Sequence, residues 1–217
     1  MTFARDERLA LCALLDQTGP QAPTLCEGWN TLDLAAHLVL REGRPDAGLG
    51  IMGGPVAGHT RRVQRSLSER KPFPDLVQAI REGPPRLSLF AIPGMDERLN
   101  LAEYFVHHED VRRAAAGWDE RKVGADLAEA LWQALPRVKV LLRRSPVGVE
   151  LARDDVNPSP GERRVRITAK ARTPVVTVLG SPAELVLWAH GRTSVAQVRM
   201  EGAQGAMQKL TDGDWRR

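Results

Sequence analysis

The feature that most constrains this 217-residue chain is a change of hydrophobic period near Ser145-Pro146. Upstream, apolar residues recur at helical spacing. Leu9, Cys12 and Leu15 fall on one stripe across residues 4–17, as a helix with one buried face requires. Downstream, residues 147–153 (VGVELAR) and 163–170 (RRVRITAK) alternate at period two, the pattern of half-buried strands. The two periods cannot share one layer of structure. The reading is therefore an all-α region over residues 1–145 followed by a small α+β domain over residues 146–217.

Turn chemistry divides each region further. The run from Thr18 to Pro23 must end the first helix. Asn30 or Thr31 offers a side-chain cap, and Asp33 puts an acid in the positive first turn of a helix over residues 32–43. Residues 48–58 read as a glycine-rich loop. Helices over 59–70 and 74–82 are split by Lys71-Pro72-Phe73-Pro74. No proline or glycine interrupts residues 97–116, so a long helix is expected there, and another over 124–143 that Pro136 kinks or divides. In the second region a turn at residues 157–161 separates the first two strands, and residues 174–179 supply a third. Ser181-Pro182-Ala183-Glu184 carries the hydroxyl cap, first-turn proline and acid of a helix start, with Gly191 as its stop. Residues 195–200 read as a strand and 203–210 as a short closing helix.

Hydrophobic residues make up 42% and charged residues 27% of the chain, which suits a globular core and argues against wholesale disorder. The opening residues mix charges of both signs, and no stretch reaches the roughly 18 apolar residues of a membrane span. A cytoplasmic protein without a membrane partner is the expectation. The formal charge of +4 raises nucleic acid as a partner, but the charges are interleaved, as in Asp119-Glu120-Arg121-Lys122, and aromatics are only 5%. A nucleic-acid footprint needs a patch of one sign, so no nucleic-acid partner is expected either. The two cysteines, Cys12 and Cys26, are too few for a disulfide framework or a thiolate zinc site and read as reduced, inert core residues.

Chemistry concentrates on two of the helices. Residues four apart differ by about 40° in direction and about 6 Å in height, so Glu103 and His107 can converge on one ion. Asp110 returns to within about 20° of Glu103, whereas His108 points about 100° away from His107 and suits a supporting or interface role. The bland alternative for the pair is a surface ion pair or a capped core histidine. His37, an imidazole in the otherwise apolar run Leu34-Ala35-Ala36-His37-Leu38, needs a partner if buried. Two imidazoles and a carboxylate suit zinc or a similar divalent ion and leave a coordination position open for chemistry. Asp33, one turn before His37, either orients that imidazole or only caps the helix start.

The segment Leu25-Cys26-Glu27-Gly28-Trp29-Asn30-Thr31-Leu32-Asp33-Leu34-Ala35-Ala36-His37-Leu38 resembles the first signature of the mycothiol-dependent maleylpyruvate isomerase superfamily, related to the DinB-like bundles. Glu103-Tyr104-Phe105-Val106-His107 resembles its second signature, and the continuation through Arg113 is similar to an actinobacterial metal-binding subgroup. Leu187-Trp188-Ala189-His190-Gly191-Arg192 is similar to part of the sterol-carrier-like domain that follows such bundles.

The resemblance implies a DinB-like four-helix bundle with His37, Glu103 and His107 as metal ligands. The ion would be zinc foremost, with nickel or manganese as alternatives. It also implies a low-molecular-weight thiol such as mycothiol as cosubstrate, presented as thiolate to a small electrophile for S-transfer or isomerisation. Asp110 is the expected aid to proton transfer, and Arg192 the candidate charge for an anionic substrate, against the plainer reading of a helix-end arginine. Trp29, His59 and His190 read as packing, loop and helix-end residues. The rival class is a non-catalytic, metal-stabilised ligand-binding protein. The apolar area of the bundle is compatible with a homodimer.

Overall fold

The computed structural model of the chain describes residues 2–43, 57–85, 88–92, 94–156, 164–212 and 215, with the side chains of 57–62 and of Leu89 outside that description. Most of the loop expected over 48–58, the turn at 157–161 and the His59 side chain lie outside the described residues. Two compact units divide the chain, Met1–Glu120 and Arg121–Arg217.

The first unit is helical: α1 (Phe3–Thr18), α2 (Thr31–Gly43), α3 (Ala57–Arg70), α4 (Phe73–Glu82) and α5 (Met95–Arg112). The α1 helix packs on α5 and α4, and α2 packs on α3 and α4. Their common core contains Leu11, Cys12 and Leu15 of α1, Leu34, Ala35 and Leu38 of α2, Leu76, Val77 and Ile80 of α4, and Tyr104 and Val111 of α5. Helix α5 ends at Arg112, four residues before the stop anticipated near Gly117. Arg112 and Arg113 fold back there onto the fully buried Glu109 carboxylate, at 2.9 and 2.7 Å.

Helix α5 is buried without interruption from Tyr104 to Val111, although that stretch includes two histidines, a glutamate and an aspartate. Burying polar groups on every side of a helix is costly unless each is bonded within the protein. The helices around α5 meet that demand. The Glu42 carboxylate of α2 accepts from Arg8 of α1 at 2.9 Å, and from Asn100 and Tyr104 of α5 at 2.7 and 2.8 Å, all through Oε1. Arg8 also pairs with Asp96 at 2.6 Å and lies 4.6 Å over the Tyr104 ring. Glu7 of α1 meets His108 Nδ1 at 3.0 Å. These bonds fix the mutual setting of α1, α2 and α5.

In the second unit, α6 (Ala125–Ala134) tightens into 3₁₀ turns over Leu135–Val140, where Pro136 removes a backbone donor. The sheet comprises β1 (Gly148–Arg153), β2 (Arg166–Lys170), β3 (Val175–Gly180) and β4 (Arg199–Gly202), in the order β2-β1-β3-β4. The β1–β3 pair is parallel, with Val149 opposite Val176 and Leu151 opposite Val178, while the two outer pairs are antiparallel. Helix α7 (Pro182–Ala189), buried along its whole length and packed on α6 and β3, follows the sheet's inner strands, and α8 (Gln204–Asp212) follows β4. Residues 121–144, which the change of hydrophobic period assigns to the helical region, thus group with the sheet.

Two strand expectations differ from the observed structure. The first strand, β1, does not alternate cleanly: Val149, Leu151 and Ala152 are all inaccessible in this central strand, while Glu150 keeps partial exposure and pairs with Arg166. Residues 195–198 are not strand. The buried Glu184 carboxylate accepts the Gln197 amide at 2.7 Å and the Arg192 carbonyl accepts the Val195 and Ala196 amides, folding this segment onto the end of α7. No described helix is long and apolar enough to cross a membrane.

Replacing Glu42 leaves the Arg8, Asn100 and Tyr104 donors buried without their shared acceptor. Glu42→Leu is therefore expected to destabilise the chain by about 3–5 kcal/mol, read from denaturant unfolding. A loss below about 1 kcal/mol would show that these bonds do not hold the helices together.

Candidate metal centre

Three side chains converge between α2 and α5. Asn30 starts α2: its carbonyl Oδ1 accepts the Asp33 amide at 3.0 Å, and the Asp33 carboxylate accepts the Asn30 amide at 3.3 Å. This reciprocal cap assigns Asp33 to the helix start, one of the two roles open to it in the sequence. Helix α2 presents His37 to α5. There His37 Nε2 lies 3.3 Å from Glu103 Oε1, and His107 Nε2 lies 3.2 Å from the same oxygen. The two imidazoles meet edge to face with centroids 5.3 Å apart, and both are buried.

The turn before α2 closes the site. Pro23 bridges to Asn30, and Gly28 adopts φ +75°, a left-handed conformation that suits glycine best. Trp29 follows and packs its ring 5.0 Å from the His37 ring. The turn is tied to α5 by the Leu25 amide, which donates to the Asp110 carbonyl at 3.1 Å.

Asp110 is fully buried, and its Oδ2 meets His107 Nδ1 at 2.9 Å. A carboxylate on the far nitrogen of a ligating imidazole fixes ring orientation and tautomer and raises ligand basicity. Asp110 is placed to orient His107 in this way. His108 turns the other way, to Glu7.

Two residues enter the site that the sequence reading did not place there. Arg41, one turn after His37, brings Nε to 3.3 Å from Glu103 Oε1, donates to the Leu99 carbonyl at 3.1 Å and to Asn100, and lies over the Phe90 ring. Its spacing from His37 was a usable signal. Cys26 is the second. It is half-buried, and its Sγ donates to Asp110 Oδ2 at 3.2 Å and stands 3.9 Å from His107 Nδ1. The inert-core reading holds for Cys12, whose thiol burial pushes up to about 11, but not for Cys26. The Leu25 to Asp110 bond carries Cys26 to the site, and no sequence spacing encodes that contact.

Electrostatics follow from this packing. Burial alone would raise the Glu103 carboxyl. The Arg41 charge and the bonds from His107 and His37 outweigh it and hold Glu103 well below the usual carboxylate range. Burial lowers His37 despite its bond to Glu103. For His107 burial also pulls downward, but bonds to Asp110, Cys26 and Glu103 overcome it and hold the imidazole well above its usual range. The centre thus has an anionic oxygen flanked by one imidazole shifted toward its neutral form and one shifted toward its protonated form.

The donor set fits a divalent ion. Ligand atoms of His37, Glu103 and His107 all lie within 4.8 Å of one another. The two nitrogen–oxygen separations of 3.2 and 3.3 Å exceed the roughly 2.7–2.9 Å of a charge-assisted hydrogen bond. They match the edges of a coordination shell with bonds of about 2.0–2.2 Å. Three nitrogens crowd one carboxylate oxygen, more than its lone pairs serve well.

Arg192 belongs to the second unit, where its guanidinium donates to the His190 carbonyl at 2.6 Å, and His190 Nδ1 in turn bonds the Val186 carbonyl. Both interactions close the end of α7. No family model, curated protein or solved structure matches the chain.

Asp110→Asn replaces the anionic acceptor on His107 Nδ1 with a neutral amide of the same size. It is expected to weaken binding of zinc by about 10–100-fold with the fold intact, measured by competition with a chromophoric chelator. Unchanged affinity would remove Asp110 from the site.

Proposed function

We propose that the helical unit is a DinB-like bundle whose His37, Glu103 and His107 hold a divalent ion, zinc foremost. In this reading the protein is a metal-dependent S-transferase or isomerase using a low-molecular-weight thiol of the mycothiol type on a small electrophile. The observation that carries it is the meeting of His37 Nε2 and His107 Nε2 on one Glu103 oxygen, with Asp110 behind His107. When bound, such an ion deprotonates a coordinating thiol at neutral pH and so supplies a nucleophile.

The chain's own residues would do the rest. Three protein donors leave a position open, as sites of chemistry do and four-ligand structural sites do not. Trp29 would wall the His37 side. Arg41 stabilises the Glu103 carboxylate as an anion and offsets negative charge at the centre. The resemblance of the Leu25–Leu38 and Glu103–His107 segments to the two signatures of the maleylpyruvate isomerase superfamily supports the choice of a thiol as cosubstrate. The four-stranded second unit would be the sterol-carrier-like companion domain, and Arg192 the charge offered to an anionic substrate.

The test is conjugation of mycothiol to chlorodinitrobenzene by the zinc-loaded full chain. Turnover is expected that a chelator abolishes and that His37→Ala lowers by more than about 100-fold. Saturable mycothiol binding without turnover would instead identify a non-catalytic ligand-binding protein. No binding at all would refute the thiol reading.

A further inference from the structure

His107 presents each of its ring nitrogens to a different set of donors. Nε2 faces Glu103 and His37; Nδ1 faces Asp110 Oδ2 at 2.9 Å and Cys26 Sγ at 3.9 Å, and these two atoms are 3.2 Å apart. We propose that Cys26, His107 Nδ1 and Asp110 form a second metal site, for a thiophilic divalent ion of the zinc type, sharing the His107 ring with the first. This goes beyond the proposed function, in which Nδ1 of that ring meets only Asp110 and holds no ion.

Three observations support the site. The first is distance: with separations of 2.9, 3.2 and 3.9 Å, a single point can stand about 2.0–2.3 Å from all three donor atoms, the range of zinc bonds to oxygen, nitrogen and sulfur. The second is donor chemistry. One thiolate with one imidazole and one carboxylate selects borderline ions over magnesium or calcium, which prefer all-oxygen shells. The third is rigidity. Asp110 and His107 sit on one buried helix, and the Cys26 turn is tied down by the Leu25 amide on the Asp110 carbonyl, the Cys26 amide on Thr24 Oγ1 at 3.2 Å and the Thr24 hydroxyl on the Trp29 carbonyl at 2.9 Å.

The atom count is simple. The ion occupies the place of the proton between His107 Nδ1 and Asp110 Oδ2 and that of the Cys26 thiol proton, and both protons pass to solvent. With ions on both nitrogens, His107 becomes a bridging imidazolate. Cys26, half-buried beside two buried partners, is the side from which the ion enters.

Titration of the metal-free full chain with cobalt(II), followed by absorbance, tests this. Wild type is expected to bind about two ions, one of them giving a sulfur-to-cobalt charge-transfer band in the near ultraviolet. Cys26→Ser should abolish that band and lower the stoichiometry to about one, while Cys12→Ser leaves both unchanged. His37→Ala and Glu103→Gln should keep the band while losing the other ion, which separates this site from the first. Circular dichroism melting checks that each variant is folded. A wild type saturated with cobalt but without the band, or a band that survives Cys26→Ser, would overturn the proposal. Loss of the band with His37→Ala would also overturn it, because the thiolate would then belong to a single shared centre.

Discussion

The polar interior of the helical unit depends on one carboxylate oxygen. Glu103 Oε1 receives His37 from α2, His107 from its own helix and Arg41 from the end of α2, within 3.2–3.3 Å in each case. An anion in this position is stable because those three cationic or polar partners surround it. Removing it would leave three nitrogens facing one another. The cost of such an arrangement is hard to explain as a stability device, since buried charges rarely gain on apolar replacements. The same geometry is what the proposed divalent ion would require.

The same logic runs outward from the site. Asp110 holds His107, the Leu25 amide and Cys26 hold the turn against Asp110, and the Gly28 turn delivers Trp29 to the face of His37. A second buried network, centred on Glu42, joins the same helices through Arg8, Asn100 and Tyr104. Asn100 belongs to both, since it also accepts from Arg41. The two networks are thus linked through side chains on α2 and α5, and the setting of those helices serves both.

Much of this was legible in residues. Helical spacing located α1, α2 and α5, and the Ser181-Pro182-Ala183-Glu184 cap located α7, because caps and periodicity act over a few residues. The pair Glu103 and His107 is a one-helix relation and so readable from spacing. Its meeting with His37 is tertiary and was suggested only by an imidazole in an apolar run. What stayed hidden depended on contacts distant in sequence. Cys26 reaches Asp110 through a backbone bond 85 residues away by count of positions Leu25 to Asp110. Likewise, the burial of Ala152 in β1 follows from its central place in the sheet, and residues 195–198 fold onto the Glu184 carboxylate.

The central claim is that His37, Glu103 and His107 hold a divalent ion, and elemental analysis of tag-free protein tests it most directly. The account predicts at least about one equivalent of a divalent metal in the wild type, with that equivalent absent from His37→Ala and from His107→Ala. A folded wild type that carries no metal and takes up none from zinc, nickel or manganese would contradict it, and would return both histidines to the role of hydrogen-bonded core residues.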